Sequence, residues 1–406
     1  MKNSVEREPC GVAIRLGHMG DVVLTSGVLS FFGELWGKPF DVVTRAPWVS
    51  LFDNHPYVRR VIGANAEELH GRALLGFLTT LAKSYTKDVP LYDLHGVLRS
   101  RLLRMFWRGK VHTYDKRGLE RRLFMASHGR MCVTQLREKT VLERYATAFS
   151  AEVPSEPLLL PKLYVTDSER EYARKLLRRS LTQTDNVAGK VTRGASMNST
   201  MNVPVAPHLT GVSQNTATLT VENTSPLTYG IGTMADNRQA GIPQYEGTLP
   251  KIVAIHPFAT HSNKTWSLDK WKSVTTSLSN LGIPWIVLGA ASAEQAAFWE
   301  GNNSFVNTTS LRETMALLAE SAVLLTGDSG PMHLARGVGT SVVAFFGPTV
   351  REWGFYPTKG EGIILESARD CRPCSLHGAK PCPYNGACLE DIATEHALTA
   401  ITRLLE

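Results

Sequence analysis

Two series of short apolar strands alternating with helical patterns constrain this chain more than any other feature. Residues 12–16 read as a strand, and 21–37 as a helix with Val23, Leu24, Val28, Leu29 and Phe32 on its apolar side. Strands over 40–44 and 58–62 follow, then a helix over 67–82, a strand over 90–94 and a helix over 97–107. The pattern resumes with strands over 251–256, 284–289, 322–327 and 342–346, and helices over 268–281, 291–299, 311–321 and 331–336. A last helix is expected over 389–405. Strands separated by helices predict βαβ units and parallel sheets. A chain of 406 residues is too long for one ordinary core, so two α/β domains are expected.

Between the two series the character changes. From Thr182 to Leu249 the chain is rich in Ser, Thr, Asn and Gly and shows no sustained period. So long a stretch does not suit a connection inside a compact domain, and it reads as a flexible insertion. A small hairpin pairing 219–221 with 227–229 is one element it can hold. Before it, Asp167 or Ser168 is expected to cap a helix over 169–181, with Glu171 in the capping-box place. The resulting division is a first domain over 1–165, a linker helix and insertion over 166–250, and a second domain over 251–406.

Charge is unevenly spread. Between His95 and Arg130 there are ten Lys or Arg against Asp115 and Glu120, so this stretch alone carries more than the chain's net +7. The run is either a solvated basic face or a surface for phosphates and anionic lipid headgroups. No aromatic-basic RNA signature or helix-turn-helix pattern accompanies it, so nucleic acid is not an expected partner. No apolar run approaches the ~20 residues of a spanning helix. Glu6, Arg7 and Glu8 stand where a secretory signal would be apolar, and a cytoplasmic setting is expected.

Ligands in open α/β sheets sit beyond the carboxyl ends of strands, so the loops there are where chemistry is sought. The first, Arg15 to Asp21, holds Gly17 and Gly20 for close backbone approach. Asp21 falls at the first helical turn, either as an N-cap or as a functional carboxylate favoured by the helix dipole. The second loop, Thr326 to His333, contains Asp328, Ser329, Gly330 and Pro331. One cap explains Asp328 or Ser329 but not both, and a free helix start binds phosphate. His333 reads as a core histidine or a ligand contact. The third loop, after His256, carries Lys264, which is solvent-facing or neutralises phosphate. The fourth, Gly289 to Glu294, offers an acid that is an ordinary first-turn Glu or a ribose acceptor.

In combination these stretches resemble glycosyltransferase family 9, the lipopolysaccharide heptosyltransferases and their relatives. The resemblance rests on RLGHMGDVVLTSGVL, YDLHGVLRS, KTWSLDKW, LLTGDSGPMHLARGVGTSVVAFFGPT and CRPC, in family order, leaving out mainly the insertion. It implies a GT-B fold: two Rossmann-like domains about a central cleft, with acceptor on the first and nucleotide sugar on the second. It also implies an inverting, metal-independent transfer, of a heptose from ADP-heptose, to an anionic glycolipid at the inner membrane face. Asp21 maps to the general base, Lys264 to a donor-phosphate contact, and Asp328, Ser329, Gly330 and His333 to the sugar-diphosphate turn. Glu294 maps near the ribose. Gly17, Gly20, Arg99 and Arg101 are expected on the acceptor side.

Three positions depart from the family pattern: Phe258 for a common glycine, Ser267 for a proline and His95 for a glutamine. They bear on sugar identity and acceptor recognition. Two other readings stand beside the transferase: a nucleotide-sugar epimerase on the same fold, and a degenerate GT-B protein kept for binding. Catalysis is expected to need no cofactor. Cys371, Cys374, Cys382 and Cys388 have the number and pairing for a structural zinc, with free thiols or disulfides as the other outcomes.

Overall fold

The computed structural model describes residues 9–191 and 248–406, apart from 302 and 377. The first half runs β1 (Val12–Ile14), α1 (Met19–Trp36), β2 (Phe40–Arg45), β3 (Val58–Ala64), α2 (Gly71–Lys83), β4 (Leu91–Asp93), α3 (Leu98–Phe106) and β5 (Val111–Thr113). It continues through α4 (Gly118–Ala126), α5 (Val133–Arg137), α6 (Val141–Ala146) and α7 (Asp167–Val191). The second half runs β6 (Val253–His256), α8 (Leu268–Asn280), β7 (Trp285–Gly289), α9 (Ala293–Ala297), β8 (Ser304–Val306) and α10 (Leu311–Ala319). It ends with β9 (Val323–Gly327), α11 (Gly330–Gly337), β10 (Ser341–Phe346), β11 (Gly362–Glu366), α12 (Ala387–Glu390) and α13 (Thr394–Leu405).

The strands form two parallel sheets, ordered β3-β2-β1-β4-β5 and β11-β10-β9-β6-β7-β8. Both follow the Rossmann order, with the direction of winding reversing between β1 and β4 and again between β6 and β9. Those two reversals open the crevices where ligands bind. The central strands are covered on both faces and read as unbroken apolar runs. Along β10, Val342, Ala344 and Phe346 join one core, while Val343 and Phe345 join another.

Helix α1 is apolar nearly all round because it is buried on several sides. It packs on β2 and α6, and also crosses α11 of the other half. Leu24, Val28, Leu29 and Phe32 are at most 1% exposed, each worth ~1.5–3 kcal/mol of burial. One apolar cluster therefore runs from α1 through α7 and α10 to β10, spanning both halves. Polar bonds fasten the same seam. Arg312 on α10 reaches Glu169, the Tyr164 carbonyl and the Ser50 carbonyl. Buried Arg144 on α6 donates to the carbonyls of Leu136 and Trp353, and Trp353 itself packs among Phe124 and Leu136.

The structure revises several sequence expectations. The helix over 67–82 is broken at His70, where Gly71 takes φ +55°, leaving one tight turn before α2. Thr166 and Glu169, rather than Asp167 or Ser168 with Glu171, form the capping box of α7 through reciprocal backbone bonds. Helix α7 runs on to Val191, so the start of the expected insertion is helical. The terminal helix is split into α12 and α13. The hairpin expected at 219–221 and 227–229 lies outside the described residues. Among the described residues, no helix is long and apolar enough to cross a membrane.

Candidate active site

The loop after β1 and the turn after β4 flank the first crevice. His18 occupies the N-cap of α1, and Asp21 lies one turn in as its only first-turn acid. The Asp21 carboxylate is 2.7 Å from the Arg15 guanidinium and 3.3 Å from the Tyr145 hydroxyl, which donates to it. Arg15 is fixed in turn by donating to the Leu94 carbonyl and lying over the Tyr145 ring. Burial pushes the Asp21 carboxyl up, but the Arg15 pairing outweighs it and holds the pKa below the usual range. Asp21 is thus ionised at neutral pH while its side chain keeps 18% exposure. Gly17 leaves room for the pair, because a Cβ there would stand 3.0 Å from Arg15 Nε and 3.2 Å from Asp21 Oδ2.

Beyond β4, buried Asp93 accepts the backbone N–H groups of His95 and Gly96 at 2.9 Å, shaping the turn into α3. Burial, reinforced by Arg15, lowers the His95 pKa to about 3, so its ring is neutral. Lys116 donates to the His95 carbonyl at 3.3 Å. Its pKa is lowered by burial and by the cations Arg15, Arg121 and Arg101. A cationic group without a matching set of acids therefore adjoins Asp21. Arg101 is exposed at its rim, and Arg99 is half-buried on the same helix.

The second crevice lies beyond β6 and β9. Lys264 Nζ is 2.5 Å from the Asp328 carboxylate and 3.2 Å from the Asp328 carbonyl. Thr349 donates to the same carboxylate at 2.8 Å. Burial raises the Asp328 pKa, and Lys264 more than reverses this, so Asp328 is ionised. Ser329 takes the N-cap position of α11 without capping it. Its hydroxyl turns instead to Thr326 at 3.1 Å and His256 at 3.4 Å. The first turn of α11, where Pro331 has no N–H, is consequently without a side-chain cap.

His333 joins the two crevices. Its Nδ1 must accept from Arg336, 3.2 Å away, since a guanidinium only donates. The proton therefore sits on Nε2. Arg336 is held by Glu361 at 2.6 Å. Burial, with Arg336, brings the His333 pKa down to about 3. A Cβ on Gly20 would meet His333 Cδ2 at 2.6 Å, and one on Gly330 would meet Met19 Cε at 2.5 Å. The glycines let the starts of α1 and α11 touch, and His333 lies within electrostatic reach of Asp21, Asp328 and Lys264.

The structure thus gathers Asp21, Gly17, Gly20, Lys264, Asp328, Ser329, Gly330 and His333 about one cleft. Glu294 is exposed on the first turn of α9, beyond the end of β7. Phe258 is buried beside His256 and the Gly289 turn, filling space where a glycine would leave it open. Arg15 stood in the sequence motif without a role, six residues ahead of its partner. Tyr145, Arg121 and Arg336 carried no local signal of their place.

All four clustered cysteines are free thiols, and among the described residues no three His, Cys, Asp or Glu are arranged to hold a metal ion. Cys388 instead belongs to the apolar core against the second sheet, where burial pushes its thiol up to about 11.

Comparison with known proteins bears on the fold. The profile of glycosyltransferase family 9 (heptosyltransferase) matches residues 213–382, beginning inside the segment that the motif resemblance left out. Lipooligosaccharide heptosyltransferase 2 of Campylobacter jejuni is 27% identical over 169 residues, covering 38% of this chain and 51% of that protein. The chain thus spans about half the length of the curated relatives it matches. A solved glycosyl transferase family 9 structure from Veillonella parvula has a TM-score of 0.62 at 14% identity, over 98% of this chain and 99% of that one. ADP-heptose LPS heptosyltransferase II of E. coli has a TM-score of 0.60 at 16% identity, over 97% and 98%. At such identities the structural likeness is one of fold. The profile match over part of the second half makes the chain similar to glycosyltransferase family 9, and the structural likeness over nearly its whole length gives it the two-domain GT-B architecture.

Proposed function

We propose that the chain is an inverting glycosyltransferase that moves a heptose from ADP-heptose to an anionic glycolipid acceptor, without a divalent metal in catalysis. The observation that carries this reading is the meeting of α1 and α11, which puts an ionised carboxylate and a helix start flanked by Lys264 on one cleft. Asp21 takes the proton of the acceptor hydroxyl as that oxygen attacks the anomeric carbon. Pairing with Arg15 makes Asp21 a weak base, so the proton passes as positive charge builds on the attacking oxygen. The bond to the nucleotide diphosphate breaks on the opposite face. Lys264 and the N–H groups opening α11 take up its charge, and neutral His333 donates through Nε2. Asp328 and Ser329 hold this turn, and Glu294 adjoins the ribose. The names of the relatives support ADP-heptose as donor and a lipooligosaccharide-type acceptor.

Arg99, Arg101, Lys116 and Arg121 suit the acidic groups of such an acceptor. The outer face of the first half supports peripheral contact with an anionic membrane at its cytoplasmic side. Leu98 and Met105 on α3 are 73% and 77% exposed, and Leu119 on α4 is 68% exposed, among the exposed Arg101, Arg108 and Arg122. Apolar tips between cations suit a lipid headgroup layer. The test is incubation with ADP-heptose and an extracted lipooligosaccharide core acceptor. Acceptor-dependent ADP release, a product heavier by one heptose and indifference to chelator are expected. Epimerised donor without transfer, or turnover restored only by a divalent ion, would contradict the reading.

A further inference from the structure

A lysine side chain has four rotatable bonds, and holding it in one rotamer costs conformational entropy. Something must wall the stem of Lys264 if its amine is to wait at one place. The wall is not in its own loop. It is Gly378, in the cysteine-rich segment, more than a hundred residues further along the chain. A Cβ built on Gly378 would stand 2.8 Å from Lys264 Cγ, 3.0 Å from Cδ and 3.4 Å from Cε. The position also has φ +81°, a backbone region that side-chain-bearing residues rarely adopt.

Gly378 is held from two sides. Its N–H donates to Ser375 Oγ at 2.8 Å. Its carbonyl accepts from Asn263 Nδ2 at 3.4 Å, and the same amide group donates to the Lys380 carbonyl. Asn263 is the residue before Lys264, so the lysine's own neighbour grips the loop that backs it. The far end of the cysteine-rich segment is tied just beyond. Trp266 Nε1 donates to the Leu389 carbonyl at 3.1 Å, the Ser267 N–H to the Glu390 carboxylate at 3.1 Å, and Lys270 Nζ to the Ile392 carbonyl at 2.8 Å. The cysteine-rich segment thus embraces residues 263–270 at both ends.

We propose that Asn263 and Gly378 are positioning residues, and that the cysteine-rich segment is the back wall setting the Lys264 rotamer for the donor's diphosphate. This rests on Lys264 being a phosphate contact. It assigns the segment a part in donor binding without any bond between its thiols. A methyl group at 378 pushes the stem off its track, and loss of the Asn263 amide lets the wall drift.

The experiment is calorimetric titration of ADP and of AMP into the wild-type chain and Asn263→Ala, Gly378→Ala and Lys264→Met, each checked for wild-type circular dichroism. Lys264→Met is expected to weaken ADP most. Asn263→Ala and Gly378→Ala should each weaken it by about tenfold, the scale of one charge-assisted contact, with AMP affinity within about twofold in all three. Unchanged ADP affinity in both positioning variants overturns the proposal, as does an equal loss of ADP and AMP, which marks general loosening. If Gly378→Ala does not fold, Asn263→Ala decides alone. Wild-type protein that binds no nucleoside diphosphate among ADP, GDP, UDP and CDP removes the functional reading and the proposal with it. Intact wild-type binding with unaffected positioning variants removes the proposal only.

Discussion

The two halves present the same device with its roles reversed. Each has a carboxylate paired with a cation at the winding reversal of a parallel sheet, beside the start of a helix. In the first half the cation is a guanidinium locked by a carbonyl and an aromatic ring, which leaves the carboxylate as the group with freedom to react. In the second, Thr349 locks the carboxylate and the cation is a lysine, a point charge on a flexible stem. Arginine is planar and pairs as a fixed fork, while lysine is a point charge whose position is set by what walls its stem. On the proposed function, the choice of cation marks which partner acts: the carboxylate in the first pair, the ammonium in the second.

Breaking that contrast gives the largest expected effect. Asp21→Asn keeps the shape and removes the proton acceptor, and transfer should fall by ~10²–10⁴-fold, measured as acceptor-dependent ADP release with folding checked by circular dichroism. A smaller and more diagnostic effect is expected from Arg15→Gln. Arg15 holds the Asp21 pKa down, so its loss raises that pKa, and the acid limb of the kcat/KM profile should move to higher pH. An unmoved limb would separate the pair from the chemistry.

The smallest effect concerns stability. His55, His256 and His333 are buried and His95 is half-buried, with pKa values near 4, 4, 3 and 3 respectively, below the unfolded value of 6.5. Below pH 6.5 the unfolded chain binds protons that the folded chain refuses, so stability is present above 6.5 and declines as pH falls toward 4. Thermal unfolding between pH 7 and 4 should show a falling Tm. His55 is far from the cleft, packed on α1 through Ser26 and Ser30. Its replacement by Asn should flatten the slope without touching nucleotide affinity.

Much of this was legible in the sequence, for physical reasons. The central strands are covered on both faces, so their apolar runs stand out, and the loops after β1, β6 and β9 carry Gly, Asp and Pro in arrangements that only tight strand-to-helix turns require. The edge strands β5 and β8 are three residues long and polar in part, and gave no such signal. The partners of the site were hidden for another reason. Tyr145 lies 124 residues from Asp21, and Arg121 reaches Trp353 across 232 residues. Folding of the first half brings the first pair together, and the docking of the two halves the second. The four clustered cysteines differ in a way their spacing does not show, since Cys388, on α12, belongs to the apolar core of the second half.

The central claim is tested most directly by measuring ADP affinity and heptosyl transfer side by side on Asp21→Asn and Lys264→Met. The account predicts that Asp21→Asn loses transfer while binding ADP as the wild type does, and that Lys264→Met loses both. Equal loss of ADP affinity in the two variants, or transfer surviving in Asp21→Asn, would contradict it.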